Sequence, residues 1–163
     1  MNLLFTLAGV LIGLGFFTGC DSPILNHAEA NNQEGEVVHV TSETCPLSFK
    51  KETLCASMTW TKEPTDDIKG ELTLRFWNGE SGSESGPYVN PQYTVAVKLW
   101  MPGMGHGSSP VTVEQETDQT GALIDGVYKV SDIYFVMPGA WEIWVQFKQD
   151  RTVIDQAKKD YQY

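Results

Sequence analysis

The segments "ELTLRFW", "YTVAVKLW" and "WEIWVQFK" alternate apolar and polar side chains with a period of two. Leu72, Leu74 and Phe76 share one face of the first. Tyr93, Val95, Val97 and Leu99 share a face of the second, and Trp141, Ile143, Val145 and Phe147 of the third. Successive side chains of an extended chain point to opposite faces, so this pattern marks strands with one face buried. An amphipathic helix needs the 3.6-residue period, and no window of useful length shows it. Further strands are expected at residues 37–41, 54–60, 111–116, 127–136 and 152–157. The turn-forming clusters "NGESGSESGP", "NPQ", "GMGHGSSP" and "MPGA" lie between strands. Residues 81–86 are expected to be a mobile loop. Short strands separated by turn chemistry predict an all-β chain folded as an antiparallel β-sandwich over residues 37–163. That length is ample for a core.

Residues 3–17, "LLFTLAGVLIGLGFF", carry no charge and are shorter than the roughly 20 residues of a membrane span. They fit the apolar core of a signal peptide. The following Phe17-Thr18-Gly19-Cys20 resembles the lipobox of bacterial lipoproteins, in which cleavage leaves an acylated cysteine at the new N-terminus. Phe17 stands where an aliphatic residue is usual, and no Lys or Arg precedes the apolar run. The alternative is a plain signal peptide with an incidental Cys20. The expected layout is a lipoprotein signal over residues 1–19, a flexible tether anchored through Cys20 over residues 20–36, and the sandwich. The expected location is the cell envelope, facing the periplasm or exterior, with the membrane as a partner through the lipid on Cys20.

Three cysteines are present, so assigning Cys20 to lipid leaves Cys45 and Cys55. In an exported protein such a pair defaults to a disulfide. Their segment, "CPLSFKKETLC", reads as a hairpin turning at "KKET", with the two cysteines facing each other across antiparallel strands. Two metal thiolates are the weaker alternative, because the spacing is far from that of zinc sites.

The formal net charge is −10, and no basic run occurs. Nucleic acid is therefore not an expected partner, since phosphate binding needs clustered Lys and Arg. The motifs G-x-S-x-G, H-E-x-x-H, Walker A and a G-x-G-x-x-G after a strand are all missing. Two of the three histidines, His27 and His39, lie in or near the tether. The chain is not expected to be an enzyme.

The segment "WMPGMGHGSSP" concentrates the soft donors Met101, Met104 and His106, and "MPGAW" adds Met137 at the end of another apolar strand. Strands of a sandwich end at common rims, so the two loops are expected side by side. Met104 and His106 are two apart, a spacing that puts both on one side of an extended segment. Thioether with imidazole suits copper, and thioethers favour Cu(I). Calcium or magnesium would want an oxygen cage that this segment lacks. The candidate ligands are His106, Met104 and Met101, with Met137 as a fourth, and Trp100 or Trp141 as a cap for the ion. Neutral ligands suit carriage of Cu(I) by a chaperone or buffer, which implies a copper-receiving envelope protein. Methionines also fill gaps in β cores, and a Met-Pro-Gly turn needs no metal. The competing readings are a metal-free interaction module with Trp100, Met101 and Met104 as an adaptable apolar patch, and a purely structural envelope lipoprotein.

The runs "VKLWMPGMGHGSSPVTVE" and "GVYKVSDIYFVMPGAWEIWVQF" together resemble the YtkA-like domain, related to the FixH-like proteins. The resemblance rests on Met101, Met104, His106 and Gly107, then Gly126 and Tyr128, then Met137 and Gly139, then Trp141, Ile143 and Val145. It spans roughly residues 93–147. It implies an immunoglobulin-like sandwich outside the cytoplasm. It also implies a link to copper handling or to assembly of copper-containing oxidases. FixH-like proteins usually carry a membrane helix, where this chain is expected to carry a lipid on Cys20 instead.

Overall fold

The computed structural model describes residues 44–163. Cys20 and residues 37–41, expected respectively as the lipid site and a strand, lie outside the described residues, as do His27 and His39. The described part contains nine strands and no helix: β1 (Leu47–Phe49), β2 (Leu54–Lys62), β3 (Gly70–Asn78), β4 (Thr94–Met101), β5 (His106–Gly107), β6 (Thr112–Thr117), β7 (Leu123–Ile133), β8 (Ala140–Gln149) and β9 (Thr152–Gln162). They form two antiparallel sheets, ordered β1-β2-β3-β7-β6 and β5-β4-β8-β9. The fold is the all-β sandwich that the alternation predicts.

The alternating faces meet in one core. Leu72, Leu74 and Phe76 of β3 and Trp141, Ile143, Val145 and Phe147 of β8 are all buried. Each contributes about 1.5–3 kcal/mol relative to exposure. Phe147 crosses between the sheets, stacking on Phe49 at 4.2 Å and touching Phe76 at 5.7 Å between ring centroids. A second aromatic group lies further along, where Phe135 is 5.1 Å from each of Trp141, Tyr161 and Tyr163, and Trp60 of β2 reaches across to Tyr161 of β9 at 5.2 Å.

Cys45 and Cys55 are disulfide-bonded, with Cα atoms 5.2 Å apart. They are not register partners, however. Cys55 stands opposite Ser48, and Cys45 precedes β1, so the bond clips the entry of the chain to β2. The turn does fall at residues 50–53. The expected strand at 127–136 runs instead from Leu123 to Ile133. Its N-terminal extension is recruited by β6, through the pairing of Thr117 with Leu123. Beyond Ile133 the chain leaves the sheet, and Phe135 plunges into the core from outside it. The polar end of β9, up to Gln162, is strand because β8 pairs with it.

The loop at 81–86, expected to be mobile, carries its own hydrogen bonds. The Asn78 side chain accepts from the amides of Glu80 and Ser81, and the Tyr88 hydroxyl donates to the Glu84 carbonyl. The following segment wedges between β3 and β7. Tyr88 bridges to Trp77, and the Val89 amide donates to the Phe76 carbonyl at 2.9 Å. Gly126 makes the wedge possible. An added Cβ there would lie 2.5 Å from the Val89 nitrogen and 2.8 Å from the Phe76 oxygen, and its φ is +65°. Only glycine fits both demands.

Candidate metal-binding rim

β4 ends at Met101 and β5 begins at His106, and the residues between form a tight turn. The amides of Met104 and Gly105 both donate to the Met101 carbonyl, at 3.2 and 3.0 Å. The extended spacing expected to align Met104 with His106 is therefore not formed. Met101 is instead the direct cross-strand partner of His106. Residues paired this way share a face of the sheet, with Cβ atoms typically about 4.5–5.5 Å apart. Pro-Gly reverses the chain, as its chemistry allows, and the partner it brings to the imidazole is the methionine before the turn.

The expected neighbour loop is there. The Met101 methyl carbon reaches to 3.0 Å from the position that a Cβ on Gly139 would occupy. The Trp141 indole N–H donates to the Met137 carbonyl at 3.0 Å, which fixes the 137–141 segment. The Trp141 ring lies 6.1 Å from the His106 ring, with planes 74° apart. Met101, His106, Trp141 and the 137–139 backbone thus converge. Met101 is buried, His106 is half-buried, and Met104 and Met137 are exposed.

Trp100 does not join them. It alternates with Met101 along β4, so it lies on the outer face, where the Lys98 ammonium sits 4.1 Å above its ring. Trp100 is therefore no cap for an ion held by His106, and Trp100, Met101 and Met104 do not form one patch.

The tautomer of His106 follows from its surroundings. Its Nδ1 lies 3.0 Å from the Gly107 carbonyl oxygen, which can only accept. In a neutral imidazole this contact favours the Nδ1–H tautomer, in which the Nε2 lone pair is the donor to a ligand. This orienting carbonyl has no side-chain signature, so it is not legible in the sequence. The cross-strand pairing had none either, because β5 is only two residues long and so shows no alternation of its own.

A cleft of about 380 Å³ adjoins the turn, lined by Pro102, Ala140, Trp141, Glu142, Asp160, Tyr161 and Gln162. The phenols at this end are held above their ordinary ionisation range, Tyr161 by burial and then by Glu63, Tyr163 by burial and then by its hydrogen bond to Asp66. Both are neutral at physiological pH. Among the described residues, no three His, Cys, Asp or Glu side chains assemble into a metal-holding group. Thioether sulfur and imidazole nitrogen, as in Met101 and His106, are donors that suit a soft cation better than a hard one.

Fold and rim together define an antiparallel β-sandwich with a methionine–histidine hairpin at one end. The sequence model of one family, described as YtkA-like, matches residues 56–146, more than half of the chain. The chain belongs to the YtkA-like family. The match runs from β2 almost to the end of β8 and contains Met101, Met104, His106, Met137 and Trp141. It thus extends well before residue 93, where the resemblance in the rim segments begins. No curated protein and no solved structure matches the chain.

Proposed function

We propose that this protein is a lipid-anchored, extracytoplasmic carrier or buffer of Cu(I), with no catalytic activity of its own. Cys20 carries the lipid, and the ion passes to a copper-receiving envelope protein, in copper-oxidase assembly or copper tolerance. The observation that supports the reading is the pairing of Met101 with His106, whose Nε2 is left free by the Nδ1 contact to Gly107. Met104 at the turn and Met137 on the neighbouring loop supply further thioethers, and Trp141 flanks the ion. Neutral sulfur and nitrogen donors hold a monovalent soft ion without activating water on it. The exposed side chains of Met104, Val136 and Met137 favour a second reading, a metal-free docking module whose methionines re-pack against a partner.

Titration of the chain with Cu(I) under reducing conditions, against a competing chelator, separates the two. The carrier reading expects one equivalent bound tightly. The affinity should fall at least about tenfold, roughly 1.4 kcal/mol, in His106→Ala and in the volume-conserving Met101→Leu. Equal weak uptake by all three proteins would leave the docking reading. Loss of membrane association in Cys20→Ala tests the anchor independently.

A further inference from the structure

The four methionines after Met1 divide sharply by exposure. Met101 and Met58 are 5% and 9% exposed, whereas Met104 is 62% and Met137 37% exposed. Met101 and Met58 belong to the core cluster, and the Met101 methyl is pressed toward Gly139. Met104 sits at the tip of the turn, between Gly103 and Gly105, neither of which has a heavy atom within 4 Å of where its Cβ would be. Thioether oxidation follows access of the oxidant to sulfur. The rim therefore combines a shielded thioether opposite the imidazole with freely accessible ones around it.

We propose that Met104 is a reversible oxidation site that switches the rim between a soft-metal-capturing form and a non-capturing one. The inference rests on the Cu(I) reading above. A peroxide transfers one oxygen to the sulfur. The O–O bond breaks, the thioether loses two electrons to become a sulfoxide, and the peroxide is reduced to water or an alcohol. A sulfur lone pair is thereby committed to oxygen, and the sulfoxide no longer serves as a soft donor. A dithiol-dependent sulfoxide reductase reverses the step, releasing water and a disulfide of the reductant. Met101 and His106 are untouched, so the pair persists while the exposed donor is lost. The product at the tip of an open turn displaces no core atom, so the fold survives the change.

The test treats the full chain with graded hydrogen peroxide, maps each methionine by peptide mass spectrometry, and measures Cu(I) affinity by chelator competition on the same samples. The expected result is that Met104 gains oxygen first, Met137 next, and Met58 and Met101 last. Affinity should drop at least about tenfold as Met104 is converted, and should return after treatment with methionine sulfoxide reductases. In Met58→Leu, a core methionine outside the donor set, the peroxide response persists, whereas Met104→Leu starts at the lowered affinity and shows no further response. Oxidation of Met101 or Met58 as fast as Met104 would overturn the proposal. So would a Met104 sulfoxide protein that binds Cu(I) as tightly as the untreated chain, and in that case the carrier reading still stands. An untreated chain that binds no Cu(I) overturns both.

Discussion

Replacing Gly126 by alanine tests the account of how the 88–90 segment is wedged between β3 and β7. Two costs add. The residue has a φ of +65°, and forcing an L side chain into the left-handed region costs about 1–2 kcal/mol. The new Cβ would also lie 2.5 Å from the Val89 nitrogen, about 0.9 Å inside the 3.4 Å at which ordinary contact begins. The obstacles are backbone atoms of Val89 and Phe76, so no side-chain rotation relieves them. The wedge must move out. It then loses the hydrogen bond from the Val89 amide to Phe76 and the one from the Gly126 amide to the Asn90 side chain, at 2.9 and 2.7 Å. At about 1 kcal/mol for each bond, the total is about 3–4 kcal/mol, a large share of a typical domain's 5–15 kcal/mol. Urea unfolding reads this as a lower midpoint at unchanged slope. Two glycines isolate the components. Gly121 has φ +85° in open space, so Gly121→Ala should show the backbone strain alone, about 1–2 kcal/mol. Gly103 has neither feature, and Gly103→Ala should change stability by no more than about 0.5 kcal/mol. If Gly126→Ala costs no more than Gly121→Ala, the close packing against Val89 is wrong.

Phe147→Ala should cost about 3–5 kcal/mol in the same unfolding assay, because it removes a fully buried ring that stacks on Phe49 and bridges the sheets. Cys45→Ala with Cys55→Ala should cost about 2–3 kcal/mol, since the bond closes a loop with a sequence separation of only 10; a doubly substituted chain as stable as the parent would contradict this. The Asp118 carboxyl accepts hydrogen bonds from the Thr120 hydroxyl and from the amides of Thr120 and Ala122, and these, the Thr120 hydroxyl first, lower its pKa below 3.8. A depressed carboxylate favours the folded turn above the unfolded pKa and loses that contribution as pH falls through the folded one. NMR titration should therefore find Asp118 ionising below 3.8, and moving up in Thr120→Val.

Much of the architecture is readable in side-chain alternation. β3, β4 and β8 stand where the period of two puts them, with the expected faces of β3 and β8 buried and that of β4 buried at Val95 and Leu99 but only half-buried at Tyr93 and Val97, because half-burial is itself what selects such a pattern. β5 falls inside "GMGHGSSP", read as a separator between strands. Two residues carry no periodicity, and His106 and Gly107 are strand only because Met101 and Trp100 lie across from them. The composition of the rim segment identifies the donor residue types. Counting positions along the chain favours Met104 as the neighbour of His106, since it assumes an extended backbone where hydrogen bonds to the Met101 carbonyl make a turn.

The sequence by itself determined an all-β chain, its main strands, the cysteine pair and the presence of soft donors, because each is a property of residue type and local spacing. Only the tertiary structure decided that Met101 faces His106, that Trp141 flanks them while Trp100 points away, and that Met104 is open to solvent while Met101 is shielded. Those are outcomes of strand register and of which face turns inward. Register is set by contacts between residues far apart in the chain, such as the 137–139 segment against Met101, and no local pattern encodes them.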